Sequence, residues 1–243
     1  MSKKNRIRLF ADDPLEEGGQ YLANESQTHY LKDVMRLVLG DEVFLFDGRN
    51  GEFECIIEQV GKKNLTLKVN KRVFDFEKSP DVWLLFSPLK KENSDIVVQK
   101  AVELGASRIV PIKTEYTINT NIKLERMKAQ IIEAAEQCRR QDLPEVSKLQ
   151  NLKELLETWD KRRTLVYLDE SGKGESFAAL KTKLNAPIAF LVGPEGGFSS
   201  DEFDVLKSLS YSLSVTLGKR ILRAETAAIS ALSCWQAFNG DWK

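Results

Sequence analysis

Two glycine-bearing segments near the C-terminus carry the residues best suited to chemistry: Gly193-Pro194-Glu195-Gly196-Gly197-Phe198 and Leu217-Gly218-Lys219-Arg220-Ile221-Leu222-Arg223-Ala224-Glu225-Thr226. Each follows a short apolar run, Ile188–Val192 and Leu213–Leu217, and each precedes a helical pattern. Glycine after a strand lets the backbone turn sharply and approach a ligand closely. In open α/β sheets ligands bind outside the carboxyl ends of the strands. The pair therefore predicts one small-molecule pocket with two backbone walls. A phosphate loop would need GxxxxGK[ST] or GxGxxG after the first strand of the sheet, and neither is present. Pro194 removes a backbone donor and Glu195 adds negative charge, so both oppose a phosphate. The chemistry predicted is recognition of a neutral or cationic ligand through backbone amides and carbonyls.

The elements that must position these loops divide into two regions. Up to about residue 73 the chain reads as β-rich, with runs at Ile7–Phe10, Val43–Phe46, Phe53–Ile57 and Leu65–Val69. Leu65, Leu67 and Val69 alternate as a half-buried strand should. Turns containing glycine punctuate the runs, one helix fits Thr28 to Leu39, and the spacing predicts a small barrel. From Val82 onward the rhythm changes. Val82–Phe86, Arg108–Ile112, Thr164–Leu168, Ile188–Val192 and Leu213–Leu217 are too short for helices, and helical patterns separate most of them. A helix is expected over Ser94 to Leu104 with Gly105 closing it. Leu124, Met127, Ile131, Ala134 and Cys138 repeat on one face of a longer helix. Ser199 with Glu202 predicts a capping box, and a last helix runs from Ala224 to Phe238. Alternating strands and helices imply a parallel sheet covered on both faces.

Composition narrows the classes. In 243 residues, 36 Lys and Arg balance 36 Asp and Glu, so only local basic patches speak for a nucleic-acid partner. No apolar run reaches the roughly 18 residues of a transmembrane helix, and no secretory signal is visible, which places the expected location in the cytoplasm. Cys55, Cys138 and Cys234 lie far apart and read as buried free thiols. With His29 as the only histidine, a multi-histidine metal site is excluded and no metal is expected. His29 itself reads as a surface or helix-entry residue. Lys62-Lys63 and Lys161-Arg162-Arg163 read as solvated faces.

The two loops, from Leu191 to Phe198 and from Leu217 to Ala227, resemble those of the SPOUT methyltransferases, and more closely the RsmE family of 16S ribosomal RNA (uracil-N3)-methyltransferases. Three upstream stretches agree: Gln99-Lys100-Ala101-Val102-Glu103-Leu104-Gly105; Glu133-Ala134-Ala135-Glu136-Gln137-Cys138 followed by Leu143-Pro144-Glu145; and His29-Tyr30-Leu31 through Phe46-Asp47-Gly48. The likeness spans nearly the whole chain in order. The chain departs from the family at Tyr30, where a second histidine is usual, and at Lys91-Glu92-Asn93-Ser94-Asp95, where a basic-aromatic stretch is usual. The resemblance implies an α/β fold: a PUA-like RNA-binding β-barrel over residues 1–73, then a SPOUT parallel sheet with a C-terminal trefoil knot over 74–243. It also implies S-adenosylmethionine as cofactor, a homodimer, and a looped-out uridine of 16S ribosomal RNA in the small subunit as substrate.

On that basis the cofactor wall is Leu168, Val192, Gly193, Pro194, Glu195, Gly196, Gly197, Leu217, Gly218, Ile221 and Leu222. Glu195 is the first candidate for the proton acceptor and Glu225 the second. Glu225 also suits the N-terminus of the last helix without any catalytic role. Arg223 is the candidate for an oxyanion or phosphate contact. For RNA the candidates are Arg6, Arg8, Lys32, Arg36, Lys219 and Arg220, which would position phosphates rather than read bases. Three other readings compete: a SPOUT methyltransferase acting on a ribose or base of another RNA, a non-catalytic RNA-binding protein of the same fold, and an unrelated nucleotide-binding α/β enzyme.

Overall fold

A computed structural model describes residues 6–61 and 64–242. The chain forms two compact units: residues up to Lys78 together with Ala135–Leu143, and Ser79–Ala134 together with Pro144 onward. The boundary anticipated near residue 73 falls a few positions later. The membership of Ala135–Leu143 in the first unit has no counterpart in the sequence reading, because helical periodicity runs unbroken through Ala134 and Cys138. Lys62-Lys63 lies outside the described residues.

The first unit carries β1 (Arg8–Phe10), β2 (Gln20–Ala23), α1 (Glu25–His29), β3 (Glu42–Phe46), β4 (Glu52–Val60) and β5 (Leu65–Phe74), in the strand order β1-β3-β4-β5-β2. Only β1–β3 is parallel; β3–β4, β4–β5 and β2–β5 are antiparallel. Register pairs Leu45 with Phe53 and Ile57 with Leu67. These residues join Leu9, Val43, Cys55 and Val69 in one buried cluster. Burial pushes the Cys55 thiol up to about 12, so it is a core residue rather than a nucleophile. None of the three cysteines is in a disulfide.

The helix anticipated over Thr28–Leu39 starts earlier and stops sooner. Asn24 and Gln27 form a capping box that fixes its first turn. It then widens into a π-helical turn over Tyr30–Val34 and breaks at Arg36, a non-glycine residue at φ 56°. His29 stays at the surface, its Nδ1 2.8 Å from Asp33.

The second unit carries β6 (Val82–Phe86), α2 (Lys91–Glu103), β7 (Arg108–Lys113), α3 (Leu124–Cys138, its last turn counted with the first unit), β8 (Glu145–Val146), β9 (Gln150–Asn151), α4 (Leu152–Glu157), β10 (Thr164–Leu168), β11 (Glu175–Ser176), α5 (Phe177–Leu180), β12 (Ile188–Val192), α6 (Ser200–Ser208), β13 (Ser212–Thr216) and α7 (Ala224–Phe238). Its strand order is β11-β13-β10-β12-β6-β7-β8, with β9 also on β7, and every pairing is parallel. A sheet of that kind needs cover on both faces. Leu85, Leu165, Tyr167, Ala189 and Leu191 pack with Leu152 and Leu206 from α4 and α6. The alternating Leu84, Val166 and Phe190 are equally buried and point to the opposite face. There α7 lies against β12 and Phe177 stacks on Phe190 at 6.0 Å.

Most anticipated elements of this unit are present. α2 begins three residues before Ser94, and Gly105 follows it at φ 76°. Ser199 and Glu202 form the expected capping box. β13 sits one residue earlier than anticipated and is only half-buried, because its one outer neighbour is the two-residue β11. Arg163 does not belong to a solvated face. It is buried, bidentate to Asp81 at 2.9 and 2.7 Å, and lies over Trp83.

Candidate cofactor and methyl-transfer site

Strands β13, β10 and β12 are neighbours and run parallel, so their carboxyl ends lie along one edge. That edge gathers three loops: the one after β10 from Asp169, the one after β12 from Gly193, and the one after β13 from Leu217. Leu168 and Val192 are buried at the strand ends. The two glycine segments predicted from the sequence are therefore brought together, with a third loop between them.

The loop after β12 is a tight turn in which the Gly197 amide donates to the Pro194 carbonyl at 2.9 Å. A Cβ on Gly193 would stand 3.2 Å from the ring of the buried Phe198. Gly197 has φ 71°, and a Cβ there would overlap the Glu170 carboxylate. Glu195 and Gly196 are exposed, and Tyr116 from the segment after β7 lies beside Gly196, its Cβ 3.3 Å from where a side chain would begin. Glu202 fixes this end: one oxygen accepts from the Ser199 amide at 3.0 Å, the other from the Glu115 amide at 2.9 Å. Thr117 holds the same segment to β6 through Ser87 Oγ at 2.6 Å.

The loop after β13 is more open. Gly218 has φ 108° and faces empty space, while the Thr216 hydroxyl donates to its carbonyl at 3.3 Å. Leu217 and Leu222 are half-buried; Lys219 and Arg220 are exposed. Ile221, expected on the cofactor wall, has an 83% exposed side chain. Arg223 is the N-cap residue of α7, with an exposed side chain that makes no cap hydrogen bond. Glu225 lies in the first turn of α7, where negative charge is favoured.

The third loop supplies what sequence reasoning missed. Asp169 is buried and accepts from the Ser171 amide at 2.8 Å and the Ser214 hydroxyl at 3.0 Å. Burial works to raise its carboxyl, but the hydrogen bonds from Ser171 and Ser214 outweigh it and hold the group below its ordinary range. Glu170 is shifted the other way, pushed up by desolvation and by the neighbouring charge of Asp169. The available signal was the pair Asp169-Glu170 placed directly after a buried strand and followed by Gly172.

The basic residues proposed for RNA divide. Arg36, Lys219 and Arg220 are exposed. Lys32 donates to the Gly61 carbonyl at 3.1 Å. Arg6 pairs with Glu52 at 2.7 Å and lies 3.7 Å over the Phe44 ring, with its side chain 27% exposed. Arg8 is buried and has to be withdrawn from the RNA set. It pairs with Glu52 at 2.6 Å, donates to the Ala135 and Arg140 carbonyls at 2.7 Å each, and covers Phe46. No metal-binding cluster of His, Cys, Asp and Glu exists among the described residues.

An all-parallel sheet with glycine loops at the carboxyl ends of its strands suits a small-molecule ligand, and comparisons with known proteins supply the class. Residues 77–236 match the RNA methyltransferase domain and residues 23–70 the RNA methyltransferase PUA domain. The chain belongs to this RNA methyltransferase family. Within it, the chain falls with the ribosomal RNA small subunit methyltransferases E. It is 32% identical to the one from Rickettsia conorii over 93% of both chains, and 29% identical to that of Bacillus subtilis over 90% of both. The Neisseria gonorrhoeae enzyme of that name, solved with S-adenosylmethionine, superposes with a TM-score of 0.89 at 26% identity, covering 98% of this chain and all of that one. A Legionella pneumophila protein solved with the same cofactor gives 0.88 at 30% identity, over 98% and 99%. No helix among the described residues is long and apolar enough to cross a membrane.

Proposed function

We propose that this chain transfers a methyl group from S-adenosylmethionine to ring nitrogen N3 of one uridine in the 16S RNA of the small ribosomal subunit. The observation that carries the reading is the convergence of three loops on the carboxyl ends of β13, β10 and β12, in a chain similar along its length to ribosomal RNA small subunit methyltransferases E. The lining suits a cation: Glu170 and Glu195 are acidic, the segment from Gly193 to Phe198 has no basic residue, and Leu168 and Val192 offer apolar flanks. Leu217, Gly218 and Leu222 would complete the wall. When bound, the cofactor supplies an activated methyl group.

The protein's own part is positioning and proton management. Uracil N3 carries a proton at neutral pH, so the proton must be removed or the anion stabilised; for the acceptor, Glu195 is the first candidate and Glu225 the second. Arg223 would hold the negative charge that spreads onto the flanking carbonyl oxygens. Arg6, Lys32, Arg36, Lys219 and Arg220 would bear on phosphates. We further infer a homodimer and a C-terminal trefoil knot. The knot reading is supported by the course of the chain: β12 is inserted between β10 and β6, and the chain then passes to β13 on the far side of β10.

Small subunits lacking the modification, incubated with the protein and labelled cofactor, are expected to yield 3-methyluridine at a single position by nucleoside mass spectrometry. A 2′-O-methylated nucleoside, or no transfer, would overturn the reading. A narrower test addresses the loop. Gly197→Ala forces an L-residue into left-handed backbone at about 1–2 kcal/mol and displaces the Glu170 carboxylate. Cofactor affinity by calorimetry is expected to fall about tenfold or more; wild-type affinity would mean this turn does not touch the cofactor.

A further inference from the structure

β6 ends at Phe86, whose register partner is Val192, the residue just before Gly193. Neighbouring strands lie about 4.8 Å apart, so whatever opens beside Phe86 borders the loop site. A cavity of about 280 Å³ opens there, among the first turns of α2, the stretch 119–123 and the first turns of α3. At about 30 Å³ per water it holds roughly nine, close to the lower limit of small-molecule sites. Phe86, Leu89, Val98, Ile122 and Met127 give it apolar walls. Asn119, Asn121, Gln130, Lys91 and Lys123 give it polar ones. Asp95 and Arg126 face each other within it as an ion pair, tying α2 to α3.

The segment that walls the cavity also walls the loop site. Tyr116 lies beside Gly196 and Thr117 bonds to Ser87, while Asn119 to Lys123 border the cavity. Asn119 and Asn121 are exposed and Gln130 is half-buried, and among the described residues their side-chain amides bond to no other protein group, which leaves them free to turn to a ligand. A carboxamide offers a donor and an acceptor together. Enzymes that take a base out of its stack hold it between aromatic or apolar side chains and hydrogen-bond its Watson–Crick edge.

We propose that this cavity receives the acceptor nucleotide, an extruded uridine whose base lies between α2 and α3. The proposal rests on the methyl-transfer reading above and names its substrate site. The amide NH2 groups donate to the two carbonyl oxygens that flank N3, leaving N3 open toward the Gly193 side. Lys91 and Lys123 lie at the same site, where they meet the nucleotide's phosphate. An extruded base costs unstacking energy, and the apolar walls offset part of it.

The test uses the full chain with two variants, Asn119→Ala/Gln130→Ala and Lys123→Glu. Three quantities are measured: KM for the small-subunit substrate, affinity for uridine 5′-monophosphate, and affinity for S-adenosylmethionine. Both variants are expected to raise KM and weaken the nucleotide at least about tenfold, with cofactor affinity within about twofold and unfolding temperature unchanged. Wild-type KM in a folded double variant would overturn the assignment, leaving methyl transfer intact. Loss of cofactor affinity in parallel would overturn it too, by making the cavity part of the cofactor site. If the wild-type protein transfers no methyl to the subunit, the underlying reading falls and the cavity assignment falls with it.

Discussion

Arg223→Ala is expected to lower kcat by about 10²–10³ while cofactor affinity stays within about twofold, the effect of removing one preorganised donor to a developing oxyanion. The clean separation comes from where Arg223 sits. Its backbone is extended at the N-cap of α7, its carbonyl accepts from the Ala227 amide, and its side chain is exposed and caps nothing. Removing such a side chain changes stability by about 0.5 kcal/mol or less, so an unchanged unfolding temperature certifies the fold. Single-turnover methyl transfer with saturating cofactor reads the chemical step directly. A kcat within a few-fold of wild type would remove Arg223 from the chemistry. Glu195→Gln serves as the companion, because loss of the proton acceptor must also change the pH profile of the rate, which the loss of a phosphate contact would not do.

Arg8→Ala is expected to act on stability rather than on RNA. It leaves Glu52, 3% exposed, with one carboxylate oxygen unpaired and only the half-buried Arg6 on the other. Breaking a buried pair from one side costs about 3–5 kcal/mol, and the Ala135 and Arg140 carbonyls lose their donor as well. At about 2–4 °C per kcal/mol for a chain of this size, the unfolding transition should fall by roughly 6–20 °C. Calorimetry and RNA binding measured below that transition separate the two roles. An unchanged transition with weakened RNA binding would restore Arg8 to the interface. Lys219→Ala makes the contrast, since that side chain is exposed.

The placement of the two glycine segments at neighbouring strand ends was legible because each follows a short apolar run that could only be a buried strand. The five long strands of the second unit and the capping box at Ser199 and Glu202 were legible for the same local reason. The first unit was read less well. Its helix start depended on a capping box at Asn24 and Gln27, which looks like any polar stretch, and a π-helical turn leaves no periodic trace. Arg8 and Arg163 were misplaced because an arginine buried by a distant carboxylate, Glu52 or Asp81, looks in sequence like one in solvent. Glu170 was missed because its significance lies in where Gly197 comes to rest. That is a relation between two loops which periodicity cannot express.

The first unit is not a continuous stretch of chain: Ala135–Leu143 belongs to it, and Arg8 needs carbonyls from Ala135 and Arg140. During synthesis it cannot be completed when Lys78 is added. The 65 residues from Ser79 to Leu143 must follow first, a wait of roughly 3–13 s at about 5–20 residues per second. Throughout that interval Arg8 has Glu52 but neither of the two carbonyls, while Glu52 is shared with Arg6. Expression of residues 6–78 alone would hold the nascent protein permanently in that waiting state.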